Sequence, residues 1–409
     1  MTLLFVMTGA EAVSGGIATL NLNILHVLGE LAEERNLALR VFSYFEQDLD
    51  RPEFLPSRVK FRGFRGNRRA LVGALLRAAG SRPIMVFDHV TIALPVLPLA
   101  AIGLVKTAIF AHGSESWRYL RRTSRWSFSA ATLVLTNSHF TLKKMRERIP
   151  RFNGVACPLG LSPRFKLNAA IPRSVEFGVP PSGGSDRVDS TANRLKAELQ
   201  TEDSPARHIE PPRFRAVDGQ VRALGDQMLL MVARMHPDEP LKGHLPLLKV
   251  WPAVAREFPQ AQLVFAGAGE NRAKLEQLAR ASGAGSSIFL TGAVTVEVLE
   301  QLYGRCYGFV MPSKQEGFGL VFLEAMNWGK PCLGCFDDGA EDVIVHQETG
   351  LLVRDPTDTP ELLQVLRTLL SDPARASQMG SNGFARLHER FTTRHVQERI
   401  KQHIGGVLT

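Results

Sequence analysis

The chain has 409 residues, more than one hydrophobic core usually serves, so two domains are expected. Its hydrophobic content of 44% and charged content of 22% are those of a globular chain, and no apolar run reaches the roughly 20 residues that a membrane-spanning helix needs. The net charge of +9 implies attraction to something acidic, either nucleotide phosphate or anionic lipid; no nucleic-acid-binding module accompanies it, so nucleic acid is not expected as a partner.

Leu3 to Thr8 is an apolar strand that runs into a glycine turn, which makes it a first core strand and not a signal peptide. Ser14-Gly15-Gly16 then opens an amphipathic helix through about Glu34, a strand, loop and helix start of nucleotide-binding type without the G-x-G-x-x-G pattern. Short apolar strands follow at Ala38 to Tyr44, Pro83 to Phe87, Lys106 to Phe110 and Thr132 to Thr136, alternating with helical segments. That rhythm predicts a parallel sheet covered by helices on both faces, with ligands beyond the carboxyl ends of the strands. His89 and His112 fall there, and Asn137-Ser138 marks a strand end followed by a helix N-cap.

Between these landmarks the first half is basic and aromatic. Arg62, Arg65, Arg68 and Arg69 crowd one loop, Trp117, Arg118, Arg121, Arg122, Arg125 and Trp126 another, and Lys143, Lys144, Arg146 and Arg148 a third. Arginine beside tryptophan suits an anionic membrane interface, and a solvated basic face is the alternative. Four cysteines fit a reducing cytoplasm better than a disulfide scaffold. Cys332 and Cys335 lack the second pair or histidine cluster of a zinc site, so packing is their expected role and no metal is expected.

Pro158 to Leu161 closes a first domain spanning 1–165, and 166–223 reads as a flexible linker or insertion with one short helix near Thr191 to Leu199. A second domain over 224–391 opens with the strand Met228 to Ala233, after which come Arg234 and Lys242. An arginine can fork onto two phosphate oxygens while a lysine adds a point charge. Leu263 to Ala266 and Ile288 to Gly292 repeat the strand-to-glycine-turn theme, and Val294 follows the second of them. Gly308 to Pro312 is another strand. Beyond it Gly317 and Gly319 let the backbone approach a ligand, and a helix runs roughly Leu320 to Asn327. Glu316 and Glu324 bracket this element with seven residues between them, and carboxylates suit sugar hydroxyls. Gly350 to Val353 predicts an edge strand, and the last helices are amphipathic.

The run E-G-F-G-L-V-F-L-E followed by A-M-N-W-G-K-P resembles the Glu-x7-Glu signature of retaining, nucleotide-sugar-dependent glycosyltransferases of family four, and further family landmarks occur in order along the chain. The resemblance implies a GT-B fold: two Rossmann-like α/β domains with parallel sheets facing across a cleft, with the acceptor side in the first domain and the donor side in the second. It also implies that residues 392–409 cross back to the first domain. Gly16 matches the double-glycine loop that approaches the donor diphosphate. His112, in H-G-S-E, resembles the family's acceptor-side histidine, whose imidazole contacts the transferred sugar or the β-phosphate. Val294 would line the nucleobase pocket, Glu316 would hold the donor sugar's hydroxyls and Glu324 the ribose hydroxyls.

The reaction implied by the resemblance is a retaining transfer of a hexosyl group from a UDP- or GDP-sugar to a glycan or lipid-linked acceptor. Arg234, Lys242, Gly16 and the amides of Gly317, Phe318, Gly319 and Leu320 would stabilise the leaving diphosphate without a metal or other cofactor. No carboxylate is evident for a double displacement, which leaves front-face attack as the expected route. The cysteine count and the basic face suggest a protein of the cytoplasm, at most at the inner face of the plasma membrane. A sugar-nucleotide epimerase, a phosphorylase on the same fold and a silent nucleotide-sugar-binding partner are the rival readings.

Overall fold

A computed structural model of the chain describes residues 2–10, 16–117, 120–172, 212–237, 239, 241–314 and 316–408. The first domain is built on seven parallel strands: β1 (Thr2–Met7), β2 (Ala38–Ser43), β3 (Lys60–Gly63), β4 (Ile84–Phe87), β5 (Lys106–Ala111), β6 (Leu133–Thr136) and β7 (Gly154–Ala156), in the order β3-β2-β1-β4-β5-β6-β7. Helices cover both faces, so the central strands are apolar and buried, β4 over its whole length and β1 from Leu3 onward.

The chain returns at an antiparallel ribbon, β8 (Arg213–Arg215) with β9 (Val221–Ala223), which meets the second sheet where Ala216 bridges to Phe289. That sheet holds β10 (Met228–Val232), β11 (Gln262–Ala266), β12 (Ile288–Gly292), β13 (Gly308–Val310), β14 (Cys332–Cys335) and β15 (Gly350–Val353), in the order β12-β11-β10-β13-β14-β15 and again parallel. In each sheet the order reverses beside a central strand, β1 in one and β10 in the other. These switch points are where parallel sheets leave a crevice at their carboxyl ends.

Several expectations are corrected. Residues 212–223 are not linker: they form the ribbon on the second domain, whose alternating Arg-Phe-Arg carries no apolar run to announce a strand. Residues 166–172 are held against the second domain, with Asn168 donating to Asn327 Oδ1 at 2.9 Å and Asn327 donating to the Lys166 carbonyl at 2.9 Å. The helix expected near Thr191 to Leu199 lies outside the described residues, as do Ser14, Gly15 and Arg118. Arg62 sits on β3, and Arg68 and Arg69 open a helix, so those arginines do not share one loop. Cys332 and Cys335 lie on β14 with buried thiols, a packing role.

Two elements tie the domains together. The Thr393–Val407 helix packs on the Gly16–Glu34 helix of the first domain, where Lys401 pairs with Glu34 at 2.5 Å and Arg35 donates to the Gly405 carbonyl at 3.2 Å. Across the cleft, Asp342 of the second domain caps the His139–Arg148 helix of the first. Its two carboxylate oxygens accept from His139 N at 3.1 Å and Phe140 N at 3.0 Å, while Ser138 takes Thr141 N at 2.8 Å. Three of that helix's four orphan N–H groups are thereby satisfied, two of them by the other domain. Lys144, in a basic stretch read as either a membrane-facing or a solvated surface, reaches Asp337 at 3.0 Å, with Lys143 at 3.9 Å from the same carboxylate.

Asp342→Ala strips a cap whose loss costs about 1 kcal/mol and should loosen the contact between the domains. The radius of gyration from small-angle scattering should rise in the variant, and an unchanged value would show that Asp342 does not hold the domains together.

Candidate active site

Lys242 and Glu316 meet in a direct ion pair on the second domain's side of the cleft. Lys242 lies in the loop after β10, and Gly243 next to it has a φ of 104°, a backbone state that favours glycine. A Cβ there would also press on Pro312, at 2.9 Å from its carbonyl oxygen. The Lys242 loop is fastened to the Glu316 loop at this point, since Lys314 N donates to the Leu241 carbonyl at 2.9 Å and Gly339 N donates to the Glu316 carbonyl at 3.0 Å. Burial disfavours the Lys242 ammonium, but Glu316, Glu239 and Asp338 outweigh it and hold its pKa above the ordinary value. Asp338 is buried beside the pair, and burial, then the Glu316 charge, push its carboxyl well up.

Arg234 stands at the cleft's edge, 79% exposed, paired with Glu239 at 2.6 Å. Gly319 has a φ of 86° and starts the Leu320–Met326 helix. That helix is only seven residues long, so an anion near it would be held by loop amides and by Lys242 more than by a helix dipole. The Phe318 side chain is buried, its ring edge-on to Phe391 at 5.9 Å, so only its backbone is available to a ligand. Leu320 and Val294 are half-buried and packed on the core, and Gly16 opens the first helix.

Gly317 meets the first domain. A Cβ on it would crowd the backbone of Gly113 and come within 2.9 Å of Asn137 Nδ2, while its carbonyl accepts from Thr141 Oγ1 at 3.3 Å. His112, adjacent to Gly113 at the end of β5, is therefore brought towards the Glu316 loop. Its Nε2 is 2.5 Å from the Asp88 carbonyl. A carbonyl only accepts, so Nε2 carries the hydrogen; burial, then the neighbouring His89, push the ring's pKa down to about 4, with the Asp88 contact opposing. The ring is neutral at physiological pH and its Nδ1 is an acceptor. His89 has a different task, its Nδ1 capping the Val90–Ala93 turn through Thr91 N at 3.2 Å.

Sequence reasoning passed over Asp88, although it precedes His89 at a strand's carboxyl end beside the first switch point. Its buried Oδ2 accepts from Thr8 N at 2.7 Å, Thr8 Oγ1 at 2.5 Å and Asn21 Nδ2 at 2.7 Å, and Asn21 also donates to the Gly9 carbonyl at 2.7 Å. One residue thus fixes both the His112 tautomer and the start of the loop after β1. Glu324 departs from the picture of an open ribose ligand: it is 2% exposed, with Oε1 accepting from Arg164 at 2.8 Å and Oε2 from Tyr303 at 2.8 Å. Among the described residues no group of three His, Cys, Asp or Glu gathers as metal ligands, and no helix is long and apolar enough to cross a membrane.

Residues 216–386 match the family model of glycosyl transferases group 1. The match is confined to the second domain and the ribbon that precedes it. Among its relatives, the sulfoquinovosyl transferase SQD2 of Arabidopsis thaliana is 29% identical over 226 residues, 52% of this chain and 41% of the plant enzyme. A GDP-mannose-dependent α-(1-6)-phosphatidylinositol monomannoside mannosyltransferase of Mycobacterium tuberculosis is 29% identical over 270 residues, 56% of this chain and 69% of the relative. The chain thus spans less than half of the plant enzyme's length. Among solved structures, sucrose-phosphate synthase from Thermosynechococcus elongatus superposes with a TM-score of 0.68 at 18% identity, over 100% of this chain and 99% of the other. Anabaena HepE in complex with UDP gives 0.69 at 18% identity, over 99% and 100%. These superpositions over the whole chain show its fold, GT-B, with two Rossmann-like α/β domains.

Burial is the largest influence on Asp88 and pushes its carboxyl to about 6, against 3.8 in the unfolded chain. The folded state holds this proton more tightly, so the contribution of Asp88 to stability is highest below the unfolded value and falls as pH rises from about 4 to 6, by about 3 kcal/mol. Asp88→Asn, which keeps one acceptor for Thr8 N, should flatten the stability curve across that window in urea titrations; a curve parallel to the wild type would contradict this.

Proposed function

We propose that the chain is a retaining glycosyltransferase of family four that moves a hexosyl group from a UDP- or GDP-sugar to a glycan or lipid-linked acceptor of the cell envelope. The observation that carries this reading is the Lys242–Glu316 pair beside the Gly317–Gly113 contact. A cation for phosphate and a carboxylate for sugar hydroxyls stand side by side where the two sheets present their carboxyl ends. The UDP bound by Anabaena HepE favours a nucleotide donor, and the GDP-mannose dependence of the mycobacterial relative keeps the guanine form in view.

In this reading the C1–oxygen bond of the donor breaks and its electron pair passes to the departing diphosphate. Lys242, Arg234 and the amides of Gly16, Gly317, Phe318, Gly319 and Leu320 stabilise that charge, and Val294 borders the base. Two side-chain cations are available for the diphosphate, so we assign the step no metal or other cofactor. The acceptor hydroxyl attacks C1 from the leaving-group face, and its proton goes to the departing phosphate oxygen. Glu316 accepts from the donor sugar's hydroxyls. His112 offers a lone pair at Nδ1, which suits a hydroxyl donor better than a phosphate oxygen, so of the two roles its motif implies we assign it the sugar hydroxyl. Glu324 takes the ribose hydroxyls.

The exposed Trp126 with Arg121, Arg122 and Arg125 gives the first domain a face suited to peripheral contact with an anionic membrane. Such an enzyme would work in the cytoplasm, at the inner face of the plasma membrane when its acceptor is lipid-linked.

The test is turnover of UDP- and GDP-hexoses with glycan and lipid acceptors, with and without chelator. Glu316→Gln, nearly isosteric, should lower kcat/KM at least about a hundredfold, in the range of a lost transition-state contact, while the melting temperature stays close to wild type. Full turnover by the variant would remove Glu316 from the reaction, and strict dependence on a divalent ion would overturn the metal-free step.

A further inference from the structure

Arg164 belongs to the strap that leaves the first domain, yet its guanidinium lies against a carboxylate of the second. Glu324 is 2% exposed and Arg164 45%, so the guanidinium is the member of the pair that solvent reaches. Phe165 holds this arrangement from below: its ring is 4.9 Å from the Arg164 guanidinium carbon and edge-on to Tyr303 at 6.0 Å. Further along the strap, Asn168 donates both its backbone N–H and its side-chain amide to Asn327, and Ile171 packs on Gly329. Arg164 is therefore held in register by contacts on both sides of the pair.

We propose that the ribose of the donor nucleotide is read by Arg164 and Glu324 together, so that a residue from the first domain's exit strap completes the nucleoside site of the second. This rests on the reading of the cleft as a nucleotide-sugar site. A ribose diol needs acceptors for two O–H groups and offers oxygen lone pairs in return. A carboxylate has about four lone-pair sites and a guanidinium five N–H donors. Two of the carboxylate sites are taken by Arg164 and Tyr303, which leaves acceptors on Glu324 and free N–H groups on Arg164 at one place. Arg164 also sustains its partner: burial raises the Glu324 pKa, and the Arg164 charge is the first influence opposing it. An isolated buried carboxyl would take up a proton and lose acceptor strength.

A salt bridge that merely fastens the strap would make no distinction between nucleotides with and without ribose hydroxyls, and this separates the alternatives. UDP, GDP and their 2′,3′-dideoxy forms are titrated calorimetrically against wild type, Arg164→Ala and Arg164→Lys. Wild type should prefer the better ribonucleotide to its dideoxy form about tenfold or more, the loss expected when two hydrogen bonds to charged groups go unmade. Arg164→Ala should shrink that ratio to about threefold or less by weakening the ribonucleotide alone. Arg164→Lys, which keeps a charge that cannot fork and guards against a folding defect, should fall between. A wild-type ratio retained in both variants overturns the proposal. So does equal binding of ribo- and dideoxynucleotides by wild type, which leaves the nucleotide site itself standing. No binding of any of the four by wild type removes both the proposal and the nucleotide-sugar reading beneath it.

Discussion

The constraint on which the rest of the structure depends is the contact between two glycine backbones, Gly317 of the second domain and Gly113 of the first. Gly317 has no room for a side chain towards Gly113, and this close approach brings the carboxyl ends of two parallel sheets into touch. Asp342 secures the approach by capping a helix of the opposite domain, a charge-assisted contact that keeps its value only while the seam is shut. The Thr393–Val407 helix and the 162–172 strap are the two covalent paths along which the domains are joined, and each is pinned to the domain it reaches.

Charges are arranged around that seam in a graded way. Arg234 is exposed and pairs with the half-buried Glu239, a contact that water weakens and a ligand can replace. Lys242 and Glu316 are mostly buried and paired with each other, while burial and the Glu316 charge push the Asp338 carboxyl behind them up. A site prepared in this way offers one cation and one carboxylate to a ligand, each partnered by the other. Asp88 plays the corresponding part in the first domain, where it organises the loop after β1 and fixes His112 as an acceptor.

Much of this was legible in the sequence because parallel strands buried on both faces are written as uninterrupted apolar runs; β1, β4, β10 and β12 fall within a residue of their expected bounds. β3 and the β8–β9 ribbon were not legible, since edge elements made of Lys-Phe-Arg-Gly and Arg-Phe-Arg have no such run. Glycine spacing and the two glutamates pointed to this loop, but the two carboxylates differ in their surroundings: Glu316 pairs with Lys242, and Glu324 is wrapped by Arg164 and Tyr303. Those partners lie 160 and 21 residues away, a separation that local pattern cannot bridge. Lys144 shows the opposite failure, a basic residue in a basic stretch whose destination is an aspartate of the other domain.

The most direct measurement of the central claim, a nucleotide site formed at the seam, is hydrogen–deuterium exchange with and without saturating UDP and GDP. With one of the two, slowed exchange should be confined to the segments around 228–244, 312–327 and the start of the Gly16–Glu34 helix, and should extend to the strap at 162–172. Protection confined to other surfaces, or none with either nucleotide, would contradict the account.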